Sequence, residues 1–416
     1  MVLRRDFGHA MNRDVVLLLA TRTVRMVAYG GLSVVLALYL AELGFGAAAI
    51  GLLLSLTLAG DAVVSLWLAT HADRLGRRRT LAIGAALMAG AGMMFAASRQ
   101  WTPLFIAAVV GVISPTGKEI GPFLSIEQAA LADLVADRRR THVFARYHLA
   151  GSLAAAVGAL AAGWGVHALQ RGGLTLLASY RVVFLVYAAG GAALAVCFLL
   201  LSPAVEARPA AAAGVGRRLG LHRSRPIVLR LSALFALDAF AGAFIVQSLL
   251  AYWFHVRFGV DEAALGEILF GVNLLAGVSA LAAARLAGRF GLINTMVMTH
   301  VPSNVLLCLV PLMPTLSLAV GMLLVRFSIS QMDVPTRQSY TMALVDSDER
   351  SAAAGVTTIA RSLGAAAAPA LAGAVLTASL SAPFFLSGGL KLVYDGLLYR
   401  GFRRHRAPEE EIGAGS

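Results

Sequence analysis

Apolar residues run along this chain in long stretches separated by short polar turns. A helix needs about 20 mainly apolar residues to cross a hydrocarbon core. Measured against that length, the sequence predicts spans over residues 14–40, 47–70, 80–98, 103–135, 142–168 and 178–201. Six more are predicted over 227–254, 261–284, 293–313, 315–345, 352–378 and 382–400. The stretch between the two sets is rich in Pro, Gly, Ala and Arg and reads as a linker. The expected organisation is a six-helix bundle over 1–203, a cytoplasmic linker over 204–226, and a second six-helix bundle with a short cytoplasmic tail over 227–416.

Composition agrees with the pattern. The chain is 58% hydrophobic and 14% charged, with a mean hydropathy of +0.77, whereas a soluble domain carries roughly 25% charged residues. The class is therefore an all-α polytopic membrane protein. Its net charge of +13 is mostly arginine, gathered in alternate loops. Arg4, Arg5 and Arg13 precede the first span; Arg74 and Arg77 to Arg79, then Arg138 to Arg140, follow at two-span intervals. Arg285, Arg289, Arg350, Arg400, Arg403, Arg404 and Arg406 continue the series, while the intervening loops hold chiefly Arg99, Arg171 and Arg257. Lys and Arg mark cytoplasmic loops, so twelve spans with both termini inside is the consistent solution. The same distribution leaves no continuous basic surface for a nucleic acid. The basic segment Met1–Arg13 runs into a span too long for a cleaved leader, and a retained first helix is expected. Cys197 and Cys308 both sit in apolar runs, which points to neither a disulfide framework nor a metal site.

Charge inside a bilayer is costly, so intramembrane ionisable residues face an aqueous cavity, pair, or carry the chemistry. Arg22 and Arg25 share one face of the first span, Arg22 close enough to its end to snorkel, Arg25 nearer the middle. The fourth span holds Ile113-Ser-Pro-Thr-Gly-Lys-Glu-Ile-Gly-Pro122. Two prolines there predict a kinked helix, with an ion pair, Lys118 and Glu119, near mid-depth. Glu127 lies further along the same span. The tenth span carries Arg326, Asp333, Pro335 and Arg337, with Asp333 and Arg337 four apart on one face. Asp61, Arg146, Asp238, Arg361 and the i,i+4 couple Lys391 and Asp395 complete the set, the last couple reading as a structural pair. His148 and His300 lie near span ends and read as surface or packing residues. The candidate substrate and proton pathway is Arg25, Lys118, Glu119, Glu127, Asp238, Asp333 and Arg337. Cations outnumber anions in the buried set, which favours an anionic or zwitterionic solute.

The halves resemble one another. Gly44–Gly51 aligns with Gly259–Gly266, Gly76 with Gly291, Glu127-Gln128 with Arg337-Gln338, and Arg140 with Arg350. This register predicts a Glu127–Arg337 pair across the interface of the halves, a gate that could break and remake.

The turn Ala69-Thr-His-Ala-Asp-Arg-Leu-Gly-Arg-Arg-Arg79 resembles the loop between the second and third helices of major facilitator superfamily transporters, Gly-x-Leu-Ala-Asp-Arg-x-Gly-Arg-Arg/Lys. Asp73, Arg74, Gly76, Arg77 and Arg78 match, while Ala69 replaces the glycine and His71 the leucine. A tight bend at Gly76 explains the glycine. The resemblance implies the twelve-helix fold of two pseudo-symmetric bundles, a substrate site between them, and a cytoplasmic latch containing Asp73. The fifth span lacks the Gly-Pro pair of many drug exporters, and the sugar-porter signature is not evident. No nucleotide-binding loop, metal cluster or nucleophile constellation is present, so neither ATP hydrolysis nor a membrane enzyme is indicated, and no cofactor is expected. The short linker and tail leave no room for a sensor domain. The expected function is secondary transport of a small organic molecule, with protons as coupling ion and Glu119, Glu127 or Asp238 as carrier. Proton-driven efflux by an antiporter is expected on general likeness to exporters, and uptake of an anionic or zwitterionic metabolite by symport is the alternative. The expected setting is a monomer, multi-pass in the inner (plasma) membrane.

Overall fold

A computed structural model describes residues 3–119, 123–135, 137–206, 222–346 and 349–402, and the side chains of residues 3–12, 73, 137–142, 145, 284 and 351 lie outside the described set. Most of the linker and tail, with Arg403, Arg404 and Arg406, therefore falls outside the described residues, as do the side chains of Asp73 and of Arg138 to Arg140.

Fifteen α-helices are present and no strand among the described residues: α1 (Leu3–Glu42), α2 (Ala47–Leu75), α3 (Arg77–Ala97), α4 (Trp101–Val110), α5 (Phe123–Leu134), α6 (Asp137–Arg171), α7 (Leu176–Leu199), α8 (Arg225–Ala243), α9 (Gln247–Phe258), α10 (Glu262–Phe290), α11 (Leu292–Leu309), α12 (Leu316–Ile329), α13 (Asp333–Ala343), α14 (Arg350–Leu376) and α15 (Ala382–Phe402). The twelve predicted spans are all there, but three are interrupted: the fourth is α4 plus α5, the seventh α8 plus α9, the tenth α12 plus α13. Among the described residues, ten helical stretches are long and apolar enough to cross a membrane. The remaining two spans are the interrupted fourth and α15, which carries Lys391 and Asp395.

The fourth span is not the kinked helix expected from its prolines; it leaves helical conformation after Val110. Pro115 cannot donate a backbone hydrogen bond, and Gly117 adopts φ 63°, a conformation that favours glycine. The carbonyl of Pro115 is satisfied instead by Ser248, whose backbone N–H and Oγ both donate to it at 3.0 Å. Non-helical backbone at membrane depth is tolerated where protein groups complete its hydrogen bonds. No proline or glycine lies in the interruptions at Phe244–Val246 and Ser330–Met332.

The helices divide into two compact units. The first comprises Met1–Gly46, Leu56–Ala211 and Gln247–Phe270; the second comprises Ala47–Ser55, Ala212–Val246 and Gly271–Ser416. In the first, α1 lies along α6 and α3 along α7, with small residues at the crossings. A side chain at Gly158 would overlap the backbone carbonyl of Val27, and one at Gly30 would overlap that of Ala155. Such close approach is the usual way that membrane helices gain packing energy. In the second unit α8 lies along α14 and α11 along α15; Gly364 lets α14 approach the α8 backbone at Ala236. Large apolar residues such as Val63, Val186, Met298 and Leu363 point outward, as a lipid-facing surface requires.

Candidate functional site

In the first unit the charges on α1 meet those of the fourth span. Arg25 and Glu127 are fully buried and joined by two parallel hydrogen bonds, Nη2 to Oε2 at 2.7 Å and Nη1 to Oε1 at 3.0 Å. This bidentate fork is the strong geometry for a guanidinium and a carboxylate. Tyr147 of α6 donates its hydroxyl to Oε2 of Glu127, and Thr21 donates to Oε1 at 3.3 Å. Glu119 takes the remaining donors, Nε of Arg25 at 2.7 Å and Nη1 of Arg22 at 2.5 Å. Arg22 therefore does not snorkel: it is 4% exposed, and its guanidinium lies 3.9 Å from the centre of the Tyr147 ring. Room for it comes from Gly151 of α6, where a Cβ would stand 2.6 Å from the arginine Nε. Lys118 lies exposed on the interrupted stretch, where Ser114 Oγ donates to its carbonyl at 2.8 Å.

The second unit gathers charge around Asp238 of α8. Its Oδ2 accepts from Nη1 of Arg337 (3.1 Å) and from Nη1 of Arg361 (3.0 Å), and its Oδ1 accepts from Nζ of Lys391 (2.6 Å). Arg337 also binds Asp333, one turn back on α13, at 3.0 Å. The couple expected between Lys391 and Asp395 is not how the structure uses these groups. Lys391 reaches Asp238, while Asp395 bonds Nδ1 of His300 (2.7 Å) and accepts from Asn304 (2.9 Å). Glycines again set the distances: Gly388 of α15 abuts Cys308 of α11 and Gly242 of α8 abuts Lys391. His300, read from sequence as a surface or packing residue, is 5% exposed and stands between two aspartates. The available signal was the i,i+4 relation of His300 and Asn304, which puts two polar side chains on one face of an apolar helix. Glu127 and Arg337, expected to face each other across the halves, each find these partners inside their own unit.

At the Arg74–Arg79 turn, Gly76 joins α2 to α3 with φ 92°. The free N–H groups at the start of α3 are taken by Glu206, which accepts from Arg77 N at 2.6 Å and Arg78 N at 3.4 Å. A carboxylate there satisfies orphan donors and complements the helix dipole. Arg77 pairs with Asp133 at 2.7 Å, Arg78 donates to the Leu199 carbonyl, and Arg74 is exposed. Sequence reasoning placed Glu206 in the linker and did not find this contact. A similar cap serves α8, where Glu349 accepts the backbone N–H groups of His222, of Arg223 (2.9 Å) and of Ser224 (2.9 Å). Burial works against the Glu349 charge, but the side-chain and backbone hydrogen bonds of Ser224 and those of the His222 and Arg223 backbones outweigh it. They bring the carboxyl down to about 2 from an ordinary 4.5.

Twelve mainly apolar spans, with shared carboxylates and guanidiniums buried at membrane depth, define a polytopic membrane transporter. The chain belongs to the Major Facilitator Superfamily, whose profile matches residues 18–369. It is 30% identical over 418 residues to the uncharacterized membrane protein YJR124C of Saccharomyces cerevisiae, covering 93% of each. Solved structures similar in fold include a point mutant of the nucleoside transporter NupG, with a TM-score of 0.75 at 16% identity, over 93% of this chain and 99% of that one. A bacterial homologue of the human lysosomal transporter Spinster, inward-facing and unoccupied, gives a TM-score of 0.72 at 16% identity, over 95% and 98% of the two chains. The human organic anion transporter MFSD10 gives 0.63 at 19% identity, over 93% and 99%. The protein is thus a transporter with the twelve-helix fold of that family, not an enzyme.

Proposed function

We propose that the protein is a proton-coupled secondary transporter that moves a small organic molecule by alternating access. The halves 1–203 and 227–416 move about the linker 204–226, and the chain acts as a monomer in the plasma membrane with both termini cytoplasmic. The observation behind this reading is that Glu119, Glu127 and Asp238 are each shared by several partners; Asp238 alone accepts from Arg337, Arg361 and Lys391. Protonating such a carboxylate cancels its hold on all of them at once. A single proton can then shift the balance between two conformations, provided that it binds one more tightly than the other. The pathway residues are Arg25, Lys118, Glu119, Glu127, Asp238, Asp333 and Arg337, and Asp73, Arg74, Gly76, Arg77 and Arg78 form the cytoplasmic latch. Asp73→Asn should slow transport while leaving the fold intact.

Exchange of the solute for an entering proton gives efflux, as general likeness to exporters favours. Symport of an anionic solute is favoured by the arginines that ring Asp238. The relatives named as a nucleoside transporter and an organic anion transporter support a small organic cargo. The test is full-length protein in liposomes with an imposed pH gradient, offered organic anions, cations and nucleosides. Solute should move against the proton in antiport and with it in symport. Solute flux that ignores the gradient overturns the coupling.

A further inference from the structure

Arg361 is unlike the other members of the second cluster. It sits eleven residues into α14, about 17 Å from the helix start at 1.5 Å per residue, and so in the middle of a span. Its side chain is 34% exposed, and among the described residues only Nη1 of its fork reaches a partner, Oδ2 of Asp238. A guanidinium at that depth with most of its fork open needs both an aqueous cavity and a counter-ion. Asp238 cannot fully supply the second, since Arg337 and Lys391 hold the same carboxylate.

The charge count of the cluster turns on one group. Among the groups joined by direct ion pairs, Asp238, Asp333 and Asp395 balance Arg337, Arg361 and Lys391 when His300 is neutral, and Arg326 acts on Asp333 only through space. A proton on His300 leaves one positive charge unmatched. The groups around the imidazole are Asp238 from α8, Lys391, Tyr394 and Asp395 from α15, and Asn304 from its own helix. Beyond Asp238 stand Arg337 and Asp333 of α13 and Arg361 of α14, with Arg326 of α12 acting on Asp333. Nδ1 faces Asp395 at 2.7 Å, and Nε2 stands 3.7 Å from Oδ1 of Asp238, the atom that Lys391 already holds. With both ring nitrogens protonated, His300 becomes a fourth cation competing for Asp238.

We propose that Arg361 is the contact for the carboxylate group of a small organic acid, and that a proton on His300 draws on the charge of Asp238 that Arg361 shares and creates the positive charge that this anion neutralises. The inference rests on the transport reading and selects symport of an anion, because proton and carboxylate then bind together rather than in competition. A planar carboxylate fits the open edge of the guanidinium through two parallel hydrogen bonds. No bond is broken; one proton and one anion enter the same cluster.

The test is binding to the full chain in detergent, which needs neither transport nor a gradient and so stands or falls separately from the coupling experiment. Benzoate and succinate are the probes, with benzamide and benzylamine as neutral and cationic controls. Thermal midpoints are read at about pH 5.5 and about pH 8, on either side of the range where histidine titrates. A carboxylate should stabilise the protein at the lower pH, at least about tenfold more weakly at the higher, and benzamide and benzylamine should not. Arg361→Gln should weaken that binding about 10- to 100-fold, the worth of a charge-assisted hydrogen bond. His300→Gln should remove its pH dependence. Arg361→Lys keeps the charge beside Asp238 but loses the fork, and should bind with intermediate affinity even if Arg361→Gln fails to fold. Neither carboxylate stabilising the wild type, benzylamine being preferred, or Arg361→Lys matching the wild type would each overturn the proposal.

Discussion

Arg25 and Glu127 offer the sharpest test of how the first cluster is held. Both are fully buried, joined at 2.7 and 3.0 Å. Breaking a buried ion pair from one side costs about 3–5 kcal/mol, whereas replacing both partners by apolar groups is often nearly neutral. Glu127→Leu leaves Arg25 with Glu119 at 2.7 Å, so its cost should fall near the lower figure. Among the described residues, Arg25→Leu leaves Glu127 the hydroxyls of Tyr147 and Thr21, and its cost should fall near the upper one. In the double variant Glu119 keeps Arg22 at 2.5 Å, and neither position strands a charge. The double loss should therefore be smaller than the sum of the single losses by at least about 2 kcal/mol, within the range seen for groups in contact. Unfolding in mixed micelles, followed by loss of helical circular dichroism, measures all four proteins. Additive losses, with a coupling under about 0.5 kcal/mol, would refute the claim that this pair is one energetic unit.

Three further outcomes follow from contacts elsewhere. Gly158→Leu should destabilise by about 3 kcal/mol, the upper range for overpacking, because its side chain overlaps the Val27 backbone; Gly90→Ala, with nothing within 4 Å, should not, and the same unfolding assay compares them. Gly76→Ala should cost about 1–3 kcal/mol, since φ 92° is strained for alanine and its Cβ would stand 3.3 Å from both Glu206 oxygens. For Glu349 the folded carboxyl titrates at about 2 against an ordinary 4.5, so its contribution is complete above about pH 4.5 and lost as pH falls towards 2. Glu349→Gln should melt below the wild type at neutral pH and converge with it across that window; a gap unchanged with pH would refute the assignment.

The sequence was most legible where a pattern is local. Apolar length gave all twelve spans, and the glycine at position 76 marked a turn that does take a positive φ. Pro115 and Gly117 marked the fourth span as irregular, although the break is wider than a kink because Ser248, far away in sequence, completes the Pro115 carbonyl. Partners were not legible. The i,i+4 rule places Lys391 beside Asp395, yet both turn to other helices, since Asp238 and His300 offer buried partners that α15 alone cannot. Glu206 looked like linker composition until α3 presented its N-terminal N–H groups to it. Such contacts depend on helix packing, which glycine placement sets and a single sequence does not display as distance.

The two clusters differ in one respect that moves the proton's address away from where charge alone put it. The direct partners in the first are Arg22, Arg25, Glu119 and Glu127, with hydroxyls from Thr21 and Tyr147. His148, on the same helix as Tyr147, is hydrogen-bonded to Gln128 at 3.2 Å. The second cluster contains His300, an imidazole with two ring nitrogens that can hold or release a proton, hydrogen-bonded to Asp395 and 3.7 Å from Asp238. A coupling proton is therefore assigned to the imidazole of the second unit, with Glu127 as the structural anchor of the first. Under that division, His300→Gln in liposomes should keep solute exchange at fixed pH but abolish accumulation driven by a pH gradient, while Glu127→Gln should weaken the fold and exchange together. Gradient-driven accumulation surviving in His300→Gln would return the proton to the carboxylates.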